Sequence, residues 1–209
     1  GAAGAIAEVN CETDFVARND EFQTFADAVV ALVLSERPSD LDALKSMSLG
    51  SGSTLAVALE EMTGKIGEKI DVRRFAVVNA KSGGKVIAYV HPGSRLGVLV
   101  ELKGNGSLED VGRDVAMQVA AMNPVATRRE EVDSTLQEKE MEIAREVARN
   151  EGKPDNIIDR IATGKLERYF KDNVLIEQPF VKDSSMTVGE MLKGSSSEVL
   201  GFERFGLGA

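Results

Sequence analysis

The stretch from residue 128 to residue 171 constrains the fold more than any other part of this sequence. Its two halves are rich in charge and each carries only a thin apolar seam. The seams consist of Val132, Leu136, Ile143 and Val147, and of Ile157, Ile158, Ile161, Leu166 and Phe170. Gly152 and Pro154 separate the seams, so the two helices should pack antiparallel as a hairpin. The narrow seams predict a protruding, coiled-coil-like hairpin, and an ordinary surface helix pair is the alternative.

Shorter strand-like and helix-like segments make up the rest of the chain. Apolar residues recur at helical spacing after Asn19 and after Ser107, and residues 39–53 are typical of a loop with one short helix. Strand-like runs occupy residues 4–10, 72–79, 86–91, 96–102 and 175–181. Short turns join the middle three runs, which predicts an antiparallel meander.

A faint internal repeat completes the expected fold. Residues 4–9 (GAIAEV) and 97–102 (GVLVEL) match in residue type, and a helical pattern follows each. We therefore expect an α+β fold with two related subdomains, in which helices pack on small antiparallel sheets, plus the helical hairpin.

Composition excludes several classes of function. The 209 residues include 34 acidic and 25 basic side chains, and the net charge of −9 disfavours non-specific binding to nucleic acid. The longest apolar run, residues 28–34, is too short to cross a bilayer. One cysteine and one histidine cannot form an internal disulfide or a Cys/His zinc site. Without a phosphate-binding glycine loop or a paired-acid motif, the sequence predicts no enzyme, no metal site and no cofactor.

One connecting loop carries an unusual combination of side chains. Thr13-Asp14-Phe15-Val16 lies between the first strand and the helix that follows Asn19. An acid beside a large aromatic ring suits insertion of the ring into a pocket of a protein partner. In the competing interpretation, Phe15 packs on its own core near Phe22, and aromatic side chains lie more often in cores than in binding hot spots.

Five sequence blocks, taken together, resemble the translation elongation factor Ts family. The longest block is EVNCETDFVARN at residues 8–19, and the others follow in order along the chain. They are residues 64–74 (GKIGEKIDVRR), 89–100 (YVHPGSRLGVLV), 115–124 (VAMQVAAMNP) and a C-terminal group at 178–182, 187–189 and 201–205. The resemblance covers essentially the whole chain, as the core and C-terminal part of the family without its N-terminal three-helix module.

The resemblance implies a division of the chain into five segments. Residues 1–78 would form core subdomain N, and residues 79–127 the first part of core subdomain C. Residues 128–172 would form the helical hairpin, residues 173–193 the return segment of subdomain C, and residues 194–209 the C-terminal segment.

The resemblance also implies a function, that of guanine-nucleotide exchange factor for elongation factor Tu. Asp14 and Phe15, with Thr13 and Val16 beside them, are implied to insert near the magnesium site of the partner's G domain, so that GDP leaves. Leu96 and Gly97 match a second contact of the family. Gln118 stands where many relatives have a histidine, and glutamine keeps the hydrogen-bonding capacity but cannot become cationic.

The expected partner is elongation factor Tu, with no direct contact to nucleic acid or membrane. Residues 1–5 lack the charged and apolar regions of a signal peptide, so the bacterial cytoplasm or an organelle matrix is the expected location. The alternative function is that of a binding or scaffold protein, which docks on elongation factor Tu without promoting exchange or forms a homodimer through the hairpin.

Overall fold

The computed structural model describes residues 1–50 and 52–208 and shows a mixed fold of helices and small sheets. The helices are α1 (Asp14–Ala17), α2 (Asp20–Glu36), α3 (Leu41–Ser46), α4 (Leu55–Ile66), α5 (Leu108–Met122), α6 (Ser134–Asn150), α7 (Asp155–Asn173) and α8 (Val188–Gly194). The strands are β1 (Ala3–Asn10), β2 (Ser48–Leu49), β3 (Ser53–Thr54), β4 (Asp71–Asn79), β5 (Gly84–Val90), β6 (Leu96–Gly104), β7 (Pro179–Phe180), β8 (Asp183–Thr187) and β9 (Ser197–Gly206). The expected α+β class is confirmed.

The chain divides into two compact units, one of residues 1–102 with the C-terminal residues from 202 onward, the other of residues 103–201. Among the described residues, no helix is long and apolar enough to cross a bilayer.

The core of the first unit lies under helix α2. Asn19 caps this helix by accepting hydrogen bonds from the N–H groups of Glu21 and Phe22. The helix contacts β1 and β4, and its buried face follows helical spacing. The core consists of Phe22, Phe25, Val29 and Val33 from α2 with Leu44, Leu55, Leu59, Ile70 and Val72 from the elements around it.

The predicted three-strand meander is wrong at its first strand, although β5 and β6 are neighbours in one sheet as expected. Strand β4 pairs antiparallel with β1, with Gly4 opposite Val78, whereas β5 lies in a separate sheet of order β5–β6–β9. The turn before β5 forms as expected, but the chain leaves β4 there and passes beside the start of β1, where the Val86 N–H donates to the Gly1 carbonyl (2.8 Å). A local turn signal predicts where a strand begins and does not determine which strand it pairs with.

Glycines allow β1 to pack closely against the second sheet. A Cβ atom added at Gly4 would lie 2.8 Å from Cγ1 of Val86, and one at Gly97 would lie 2.9 Å from Cδ1 of Ile6. Neither distance is compatible with an undisturbed neighbour, so the missing side chains set the spacing between the sheets. This packing fixes Gly97 beside β1.

The second unit contains the expected hairpin, formed by α6 and α7 with Gly152 in the left-handed region (φ 71°) of the turn. The predicted seam on α6 is partly wrong: Ile143 and Val147 are 46% and 44% exposed, while Ala144 and Ala148 are buried. Burial of these alanines fits the contact between α6 and α7, because small side chains let two helices approach closely.

The base of the hairpin is held by a small core and an ion-pair cluster. The core consists of Ala126, Val132, Phe170 and Val174. Arg129 pairs with Glu177 and Glu167, and its guanidinium lies 4.7 Å from the centre of the Phe170 ring. The strand predicted at residues 175–181 is limited to Pro179–Phe180, because Leu175–Glu177 forms a 3₁₀ turn instead.

Candidate partner-binding site

Helix α1 is a single turn with a capping residue before it. Thr13 is extended, and its hydroxyl accepts a hydrogen bond from the Val16 N–H (3.4 Å). The Arg18 N–H closes the other end by donating to the Asp14 carbonyl (3.2 Å). Because one turn gives each residue a different direction, adjacent side chains of α1 cannot all face the core.

The structure directs Phe15 outward. Its side chain is 84% exposed, the largest value among the exposed large hydrophobic residues, whereas Val16 packs partly against the core of the first unit. The interpretation in which Phe15 packs on its own core near Phe22 is therefore wrong. Transfer of a phenylalanine ring out of water gains about 1.5–3 kcal/mol, so an exposed ring on an ordered turn is available for binding.

Asp14 lies beside the ring and is also on the surface. Its carboxylate pairs with the Arg18 guanidinium (3.1 Å), one helical turn further on, and both side chains are mostly exposed. Such a pair contributes little to stability, in the range of about 0–1 kcal/mol. The carboxylate can therefore exchange Arg18 for another donor at small cost.

A carboxylate distant in sequence holds the start of α1. Glu68 accepts hydrogen bonds from the N–H groups of Glu12 (3.1 Å) and Thr13 (2.9 Å) and from the Thr13 hydroxyl (2.5 Å). Sequence reasoning missed Glu68, because nothing in its immediate sequence pairs it with a loop 55 residues away.

Leu96 and Gly97 follow the turn between β5 and β6. The His91 N–H donates to the Leu96 carbonyl (2.8 Å), and Leu96 is half-buried. Both residues line a groove of about 430 Å³ in the first unit. Ala17, the last residue of α1, lines the same groove, so the structure brings the end of α1 and the Leu96–Gly97 pair to one surface feature.

Gln118 lies in the second unit and is completely buried, with 0% exposure. Its amide nitrogen donates to the Gln178 side chain (3.1 Å) and to the Pro179 carbonyl (3.1 Å), and its oxygen accepts from the Val181 N–H (2.8 Å). A direct contact with a partner would require these bonds to break. In this structure Gln118 joins α5 to residues 178–181.

A buried ion cluster supports β1, the strand that leads into α1. Glu8 is 4% exposed and pairs with Arg74 (2.7 Å) and Arg73 (3.3 Å) of β4. Burial raises the pKa of Glu8. Hydrogen bonds from Asn10 and Arg74 and the charges of the two arginines lower it by more than burial raises it, so the pKa of Glu8 lies below its usual range. Arg74 also covers the Phe205 ring (4.5 Å).

Across residues 1–50 and 52–208, no group of three His, Cys, Asp or Glu side chains is arranged to hold a metal ion.

Comparisons with known proteins show the family of the chain. The family model described as "Elongation factor TS" matches residues 12–209. "Elongation factor Ts" of Alkalilimnicola ehrlichii is 46% identical over 208 residues, which cover 100% of this chain and 70% of that protein. The proteins of the same name from Chloroherpeton thalassium and Chlorobium phaeobacteroides are 43% and 44% identical and cover 98% and 99% of this chain, corresponding to 74% and 75% of their own lengths.

These matches extend over essentially the whole chain. The chain is therefore a translation elongation factor. It belongs to the elongation factor Ts family.

Proposed function

We propose that this chain binds elongation factor Tu and promotes the release of GDP by inserting Phe15 and Asp14 beside the magnesium and phosphate site of the partner. The observation that carries the proposal is the 84% exposure of Phe15 on a capped turn. Exposed rings on ordered supports are typical of binding hot spots, because the ring loses little conformational freedom when it is buried. Thr13 and Val16 fix the turn, and Leu96 and Gly97 provide a second contact.

The role of Asp14 follows from its weak partner. When the ring enters the gap between two helices of the G domain, the carboxylate exchanges Arg18 for donors of the partner. Rearrangement of these helices weakens the contacts to magnesium and to the β-phosphate of GDP. No covalent bond is made or broken, so the chain needs no catalytic side chain.

Burial of the ring alone would not provide a large acceleration. An acceleration of GDP release by about 10⁴ requires about 5.5 kcal/mol of barrier lowering. Burial of one phenylalanine contributes about 1.5–3 kcal/mol. The remainder must come from other contacts that favour the nucleotide-free partner. By linkage, GDP must weaken the binding of this chain by the same factor by which the chain weakens GDP binding.

Gln118 contributes to the proposed function indirectly. Its three hydrogen bonds hold residues 178–181 on α5. We assign it the positioning of this segment rather than a direct contact with the partner.

A second candidate function rests on the hairpin. Ile143 and Val147 form an exposed apolar pair, one turn apart on α6. A protein that docks on elongation factor Tu without promoting exchange, or that forms a homodimer through this face, would use such a pair.

The test measures release of a fluorescent GDP analogue from elongation factor Tu with and without excess chain. Acceleration that saturates with chain concentration supports exchange. Co-elution with nucleotide-free elongation factor Tu on a sizing column, without acceleration, supports the docking function instead. Elution of the chain alone at the volume of a dimer, with a return to the monomer volume in Val147→Glu, supports the homodimer.

A further inference from the structure

We propose that Glu68 is a positioning residue for the exchange site, which holds residues 12–16 in the arrangement that presents Phe15. The proposal rests on the proposed function above. Glu68 follows α4, and its hydrogen bonds go to Glu12 and Thr13, so it acts on Phe15 through Thr13.

The contacts form a relay from Glu68 to the helix that carries the ring. One carboxylate oxygen accepts from the N–H groups of Glu12 and Thr13, and the other accepts from the Thr13 hydroxyl. The same hydroxyl accepts from the Val16 N–H and so caps α1. Hydrogen bonds to an ionised carboxylate are stronger than neutral ones. The bond from the Thr13 hydroxyl, with those from the two backbone groups, holds the pKa of Glu68 below its usual range, so the group is ionised at neutral pH.

Glu68 is itself attached to a rigid base. Gly67 ends α4 in the left-handed region (φ 81°), and its N–H donates to the Thr63 carbonyl (2.9 Å). The Ile70 N–H donates to the Thr63 hydroxyl (3.1 Å), and the Ile70 side chain is buried in the core. The carboxylate therefore lies between the fixed end of a helix and a core residue.

Helix α1 needs such an external support. A helix of four residues makes too few internal hydrogen bonds to be stable in water. Without Glu68, the N–H groups of Glu12 and Thr13 have water as their alternative partner, and the turn populates other conformations. The affinity for a partner then falls in proportion to the population that presents Phe15. The maximal rate of exchange is unchanged, because every docked molecule has the turn formed.

The first experiment titrates GDP release from elongation factor Tu with the wild-type chain and with Glu68→Ala. We expect the concentration for half-maximal acceleration to rise about tenfold, with the maximal rate within about twofold of wild type. Glu61→Ala, which removes an exposed carboxylate of α4, is the matched control and should not shift the titration. A purely structural role of Glu68 would instead lower the melting temperature and the maximal rate, without a shift in the half-maximal concentration.

Two further measurements separate this proposal from the proposed function. In a Phe15→Ala background, Glu68→Ala should raise the half-maximal concentration by clearly less than tenfold, because only Asp14 is then left to position. A full tenfold rise in that background, so that the two losses add, would overturn the proposal. Hydrogen exchange of the Glu12 and Thr13 amides, measured without any partner, should accelerate at least about tenfold in Glu68→Ala. Unchanged exchange refutes the positioning role. Failure of the wild-type chain to accelerate GDP release, with the amides responding as expected, refutes the proposed function and leaves Glu68 as an anchor of the turn only.

Discussion

Replacing Phe15 by alanine should slow nucleotide exchange while leaving the free protein intact. Because the side chain is 84% exposed, its removal costs the folded chain little, within about 0.5 kcal/mol for a surface substitution. If docking buries the exposed 84% of Phe15, and full burial of a phenylalanine gains about 1.5–3 kcal/mol, the loss on docking is about 1.3–2.5 kcal/mol. At 1.4 kcal/mol per factor of ten, exchange should slow by about 8- to 60-fold.

The assay is stopped-flow release of a fluorescent GDP analogue from elongation factor Tu, at chain concentrations below saturation. The matched control is Val57→Ala, which shortens an exposed apolar side chain of α4. With this variant, GDP should leave elongation factor Tu at the same rate as with the wild-type chain. Thermal unfolding of both variants checks that each is folded. Equal release rates for wild type and Phe15→Ala would show that the ring is not part of the exchange site.

Three further predictions concern stability and follow from buried polar groups. Arg74→Ala should lower the free energy of unfolding by about 2–3 kcal/mol in urea, because the buried Glu8 keeps only Arg73 as its cationic partner; a loss below about 0.5 kcal/mol would contradict the pairing. The pKa of Glu8 lies below its ordinary value of 4.5, because hydrogen bonds and the two arginine charges outweigh burial. The ionised Glu8 therefore stabilises the fold at pH values above the pKa of the unfolded state, and this contribution is lost as the pH falls through the pKa of the folded state. Glu8→Gln should accordingly reduce the loss of stability at acid pH. An unchanged pH dependence of stability would show that other carboxylates account for it. Gln118→Ala should lower the free energy of unfolding by about 2–4 kcal/mol, because the buried groups that bond to Gln118 lose their partner. A change within about 0.5 kcal/mol in thermal or urea unfolding would show that water replaces the side chain.

Local chemistry made much of the fold predictable. Asn19 and Thr187 are side-chain types that favour helix N-caps, and they cap α2 and α8. The hairpin follows from two helical patterns with Gly152 between them. Each of these features depends on residues within a few positions of one another.

Features that depend on distant residues could not be predicted in this way. The pairing of β4 with β1 joins strands about 70 residues apart, and the short turn before β5 suggested a different neighbour. In the hairpin, the size of Ile143 predicts that this residue is buried, but Ala144 is buried instead, because small side chains allow two helices to pack closely.

The candidate site shows the same limit. The motif around Phe15 could be found from the sequence, yet the direction of the ring depends on the phase of a single helical turn that packs Val16 partly against the core. The burial of Gln118 depends on residues 178–181, which lie 60 or more positions away. The anchoring of Thr13 by Glu68 is likewise a contact between separate parts of the chain.

The position of the Phe15 ring in the complex can be measured by photocrosslinking. A benzophenone-bearing phenylalanine analogue replaces Phe15, the chain is mixed with nucleotide-free elongation factor Tu, and the crosslinked peptides are mapped after irradiation. The proposed function predicts crosslinks to helices of the G domain beside the magnesium site. Crosslinks only within this chain, or only to other domains of elongation factor Tu, would contradict it.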